Sequence, residues 1–132
     1  METENEITGK KTVMVVDDEQ DVLLSVTQIL EANNYRTIKA SDGYECLEKL
    51  KEEIPEVILL DIMMPGLTSR EILEEITKDG RLAKVKIIFI TAVHSLEAEE
   101  AGLLNASQVV DYIEKPFSMK RLLDAIEKVV TE

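Results

Sequence analysis

Five residues of this chain of 132 have the types and the settings to do chemistry together: Asp17, Asp18, Asp61, Thr91 and Lys115. Each stands at or just past the end of a short apolar run. Three carboxylates brought together repel one another and raise each other's pKa. A hard divalent cation relieves that repulsion, and Mg²⁺ takes oxygen ligands while keeping some of its waters. A lysine adds one positive charge and a threonine adds a hydroxyl donor. An acidic metal site with both of these beside a lone carboxylate suits phosphoryl transfer: the carboxylate attacks, and the cation and ammonium neutralise the equatorial oxygens. Taken singly, each residue has a plainer use. Asp17 and Asp18 can start a helix, Asp61 can open a turn, Thr91 can cap a helix, and Lys115 can be a solvated loop lysine. The functional reading rests on their convergence.

That convergence depends on the elements between them. Five runs read as buried or half-buried strands: Thr12–Val16, Tyr35–Ala40, Val57–Asp61, Val85–Ile90 and Val109–Ile113. Helical spacing separates them. Val22, Leu23, Val26, Ile29 and Leu30 form the first apolar face, with Asp17-Asp18-Glu19 expected in its first turn and Asn33-Asn34 closing it. Ser41-Asp42-Gly43 opens a second helix with Leu47, Leu50 and Ile54 inward, and Pro55 stops it. Thr68 and Glu71 have capping-box spacing ahead of Ile72, Leu73 and Ile76. Ser95 is the expected cap of a fourth helix carrying Leu96, Ala98, Ala101 and Leu103, and Ser118 of a fifth carrying Leu122, Leu123, Ile126 and Val130. Strands alternating with helices imply an α/β fold, a doubly wound parallel sheet with helices on both faces. At this size the expectation is the flavodoxin-like order 2-1-3-4-5, with five helices and a switch point between strands 1 and 3. Those two strands lead into Asp17-Asp18 and Asp61.

Composition narrows the function classes. A formal net charge of −12 argues against nucleic acid and anionic membrane partners and fits a basic partner or metal cations. The single cysteine, Cys46, excludes an intrachain disulfide and reads as a small core residue. No apolar segment has the length of a membrane span, and the acidic N-terminus is unlike a signal peptide, so a soluble cytoplasmic protein is expected. Residues 1–11 read as a flexible leader and 12–132 as one domain.

The motifs Val15-Val16-Asp17-Asp18-Glu19, Leu60-Asp61-Ile62-Met63-Met64-Pro65-Gly66, Thr91-Ala92 and Asp111-Tyr112-Ile113-Glu114-Lys115-Pro116-Phe117 together resemble the receiver domains of two-component signalling, of the chemotaxis-regulator type. The resemblance spans residues 12 to 131. It implies that Asp61 accepts a phosphoryl group from a histidine kinase or histidine phosphotransfer domain. It further implies that Asp18, Asp61 and the main-chain carbonyl of Met63 bind Mg²⁺ directly, and that Asp17 does so through water. Lys115, Thr91 and the Ala92 amide would contact the phosphoryl oxygens. Thr91 and Tyr112 would form a switch pair that remodels the surface of the fourth helix, fifth strand and last helix. A cis Lys115-Pro116 bond is implied as well. Two departures stand out: Ser69, where the family usually has glycine, and Gln108-Val109-Val110, where it usually has Gly-Ala before Asp111.

Other classes fit less well. A haloacid-dehalogenase-type phosphatase needs a second acid two residues after its nucleophile, where Glu19 is a poor substitute for an aspartate, and a late acidic cluster, for which no late Asp-Asp pair exists. A flavin carrier needs a hydroxyl- and glycine-rich phosphate loop after strand 1, where Asp17-Asp18-Glu19 would repel a phosphate. The expectation is therefore a signalling phosphoacceptor rather than an enzyme, one that promotes its own phosphotransfer and dephosphorylation. Its output partner, or an output domain beyond these residues, is left open.

Overall fold

The structure, a computed structural model, describes residues 9–92 and 107–131. The chain runs β1 (Thr12–Val16), α1 (Gln20–Ala32), β2 (Arg36–Ala40), α2 (Gly43–Glu52), β3 (Val57–Asp61), α3 (Ser69–Lys78), a 3₁₀ turn (Gly80–Leu82), β4 (Lys86–Thr91), β5 (Val109–Glu114) and α4 (Met119–Val130). The strands form one parallel sheet in the order β2-β1-β3-β4-β5, as expected. Four helices, not five, lie among the described residues. The helix expected from Ser95 falls within 93–106, outside them.

Because successive strand residues point to opposite faces, each central strand feeds two cores. Met14, Val16, Ile58, Leu60, Ile87 and Phe89 pack on one face with Cys46 and Leu50 of α2 and Ile72 and Ile76 of α3. Val13, Val15, Val57, Leu59, Ile88 and Ile90 pack on the other with Leu23, Val26 and Leu30 of α1 and Leu122 and Ile126 of α4. Strands covered on both sides must be apolar throughout, which is why these runs were unbroken in the sequence. Each such side chain contributes about 1.5–3 kcal/mol on full burial. Cys46 is fully buried, and burial pushes its thiol up to about 12, with the Asp42 charge adding to the effect.

The caps hold the helices at the expected places. Asp42 accepts from the Glu45 amide at 2.8 Å, Thr68 and Glu71 form a reciprocal capping box, and Ser118 accepts from the Arg121 amide at 3.0 Å. Two details differ from expectation. Asp17, Asp18 and Glu19 precede α1 instead of forming its first turn, because the chain needs them to turn out of β1. Ile54 lies beyond the end of α2 and is exposed, since the helix stops at Glu52, before Pro55 is reached.

β5 carries an irregularity that the sequence did not show. Ile87 pairs with Val109 but Ile88 pairs with Asp111, so Val110 is an extra residue. A bulge of one residue exchanges the faces of everything after it. Val109 and Tyr112 consequently share the face of Phe89, whereas Ile113 joins the opposite core. The strand start is anchored by Gln108, whose buried amide nitrogen donates to Leu82 O at 2.8 Å and Val85 O at 2.9 Å.

Candidate functional site

Register brings the reactive residues to one edge. Val16 lies beside Leu60, Asp61 beside Ile90, and Thr91 beside Glu114. The residues that follow, Asp17 and Lys115, therefore emerge at the carboxyl ends of the strands next to Asp61 and Thr91. This edge is where open α/β sheets bind ligands.

The two buried aspartates are held by the same local device. Asp17 Oδ1 accepts from the Glu19 amide at 2.9 Å, and Asp61 Oδ1 accepts from the Met63 amide at 3.0 Å. Each carboxylate thus closes its own turn two residues on and keeps its second oxygen for the site. Both second oxygens face Lys115, whose Nζ lies 2.9 Å from Asp17 Oδ2 and 3.3 Å from Asp61 Oδ2. Glu19 Oε1 is 3.2 Å from the same ammonium. The chain brings Lys115 there by donating its own amide to Thr91 O at 2.6 Å, and the Lys115-Pro116 bond is cis.

Electrostatics follow from burial. Asp17 and Asp61 are 1% and 3% exposed. Burial pushes the Asp61 carboxyl above its ordinary value, and the Asp17 charge adds to this. The Met63 amide and Lys115 pull against them without reversing the shift. Burial alone would lower the Lys115 pKa, but its bonds and charge interactions with Asp17, Asp61 and Glu19 raise it above the usual lysine range. Carboxylate oxygens of Asp17, Glu19 and Asp61 lie within 4.8 Å of one another, so three carboxylates face one ammonium. An all-oxygen set with this negative excess fits a hard divalent cation.

The other expected residues fall nearby. Thr91 is fully buried at the end of β4, and Ala92 after it is exposed. Tyr112, half-buried, shares the sheet face of Phe89 and hence of Thr91, and its hydroxyl lies 3.3 Å from Glu114 Oε1. Asp18 is exposed and stands outside the carboxylate cluster, while Glu19, which sequence reasoning did not place there, stands inside it. The signal for Glu19 was its position two residues after Asp17, where its amide closes the Asp17 turn. Ser69 is buried and donates to Ile62 O at 3.2 Å, tying α3 to the loop after Asp61.

Residues 13–127 match the family model described as the response regulator receiver domain. The chain belongs to that family. The receiver domain is 37% identical over 121 residues to the probable transcriptional regulator ycf27 of Guillardia theta, covering 92% of this chain but 46% of that protein. It is 30% identical over 117 residues to the polar-differentiation response regulator DivK of Brucella anthropi, covering 89% of this chain and 94% of that one. Thus it spans about half of some curated relatives and nearly all of others. Among solved structures it is similar to the response regulator TrrA of Thermotoga maritima in complex with Mg(2+)-BeF. The identity is 28% and the TM-score 0.74, with 90% of this chain and 98% of that one covered. Among the described residues no helix is long and apolar enough to cross a membrane.

Proposed function

We propose that this receiver domain accepts a phosphoryl group on Asp61 from the phosphohistidine of a sensor histidine kinase or histidine phosphotransfer domain. A carboxylate oxygen of Asp61 attacks phosphorus, the phosphorus–nitrogen bond breaks, and the imidazole leaves. The observation that carries this reading is the Asp61 carboxylate itself. It is buried at the carboxyl edge of the sheet, with one oxygen fixed by the Met63 amide and the other facing Lys115. Fixing the nucleophile and presetting a cation beside it are the two services phosphoryl transfer needs from a protein.

Lys115, with the Thr91 hydroxyl and the Ala92 amide, would hold the transferred oxygens. Asp18, Asp61 and the Met63 carbonyl would hold Mg²⁺, with Asp17 acting through water; when bound, the ion neutralises charge on the transferring group. The TrrA complex with Mg(2+)-BeF supports this assignment by similarity. Thr91 and Tyr112, on one sheet face of adjacent strands, would couple the phosphoryl group to the surface: the hydroxyl moves toward the new acceptor and the ring turns into the vacated space. The protein is then a cytoplasmic signalling phosphoacceptor that promotes its own phosphotransfer and dephosphorylation.

The test is incubation with acetyl phosphate and Mg²⁺, read by intact-protein mass and acid lability. One phosphoryl group per chain is expected, and none on Asp61→Asn. Incorporation by that variant at the wild-type level refutes the assignment.

A further inference from the structure

The free edge of the sheet at β5 is closed by a side-chain fork. Tyr112 turns both of its peptide groups away from β4. Its amide donates to Asp111 Oδ1 at 2.7 Å, and its carbonyl accepts from Arg121 Nη2 at 3.3 Å. Arg121, in the first turn of α4, also grips Asp111 through both oxygens, each at 3.1 Å. Asp111, Tyr112 and Arg121 therefore form one closed ring of hydrogen bonds joining the edge strand to α4. Burial acts to raise the Asp111 pKa, yet its bonds to Arg121 and the Tyr112 amide hold it below the usual carboxylate range. Bidentate arginine–carboxylate pairing is strong and directional, and lysine cannot reproduce it.

An open strand edge needs some cover against pairing with other strands, and an exposed lysine would serve for that. The fork does more, because it clasps the backbone of Tyr112, the aromatic residue of β5 that shares the sheet face of Phe89 and Thr91. We propose that Asp111 and Arg121 are positioning residues for Tyr112: they fix its backbone to α4, so that a movement of the ring is delivered to the first turn of that helix. The inference rests on the switch reading of Thr91 and Tyr112 given above. Its physical basis is that hydrogen-bond and ion-pair networks joining two elements carry coupling between them, and this fork joins the backbone of Tyr112 to α4.

The experiment compares wild type with Arg121→Ala, Asp111→Ala and the milder Arg121→Lys, each full chain, phosphorylated to the same extent with acetyl phosphate and Mg²⁺. NMR follows the Tyr112 ring and the amides of residues 119–122. In wild type both sets shift on phosphorylation. In the alanine variants the ring shifts persist while the helix shifts fall at least twofold, and Arg121→Lys recovers only part of them. Lys120→Ala removes a neighbouring charge paired with Asp124 on the same helix and leaves the helix shifts intact. Undiminished helix shifts in both alanine variants, or an equal loss in Lys120→Ala, overturn the clasp and leave the switch standing. A Tyr112 ring that does not respond in wild type overturns the switch reading, and the clasp with it.

Discussion

Gln108→Met is the sharpest probe of how β5 is set in place. The side chain keeps its length and loses both donors. Leu82 O retains the Val85 amide at 3.0 Å, so there the loss is one ordinary hydrogen bond, about 1 kcal/mol net. Val85 is 1% exposed, and its carbonyl loses the Gln108 amide at 2.9 Å in a buried setting, which costs about 1–3 kcal/mol. The sum is about 2–4 kcal/mol. A domain of this length loses roughly 3–5 °C of melting temperature per kcal/mol, so a fall of roughly 6–20 °C is expected. Thermal and urea denaturation followed by circular dichroism measure it. Gln108 lies at the opposite end of β5 from Lys115, so the rate of phosphorylation by acetyl phosphate at 20 °C should not change. A melting temperature within about 2 °C of wild type would mean the two hydrogen bonds carry no net stability, contrary to the reasoning from buried carbonyls.

Two further outcomes are expected. In Mg²⁺ titrations, Asp18→Ala should cost more affinity than Asp17→Ala; equal losses, or a larger loss in Glu19→Ala, would move direct ligation to the carboxylates already gathered at Lys115. Gly43→Ala should destabilise by about 1–3 kcal/mol despite the better helix former, because its Cβ would meet Ile72 Cδ1 at 2.8 Å and Leu67 Cβ at 2.9 Å; calorimetry showing a gain would refute the clash.

The sequence was legible where one physical demand dominates. Val13–Val16 and Val57–Leu60 must be apolar on both faces of a covered sheet, and that demand leaves an unmistakable run. Asp42, Thr68 and Ser118 were legible because an oxygen one residue ahead of a helix has a single local job. From the strand ends alone, Asp17, Asp61 and Lys115 could be brought together and read as an acidic cation site suited to phosphoryl transfer; the family resemblance supplied which carboxylate would accept and which would ligate the ion directly. The bulge was hidden because Val109 and Val110 are equally good strand residues, and nothing local says which of them is unpaired. Arg121 was hidden for a different reason. Its partners, ten and nine residues earlier, lie on another element, and only the fold brings them close. Ile54 was misread because helical spacing continued past the point where the backbone had already turned.

Lys115 has one more consequence. In the arrangement described, the tethered ammonium sits among the carboxylates that an incoming cation would seek. Loading such a cation is then a swap of counterions, not the filling of a vacant socket, and the displaced ammonium needs a new anion. A phosphoryl group on the neighbouring carboxylate would supply one. Through this single side chain cation binding and phosphorylation would assist each other, and by thermodynamic reciprocity each would shift the other's equilibrium by the same factor.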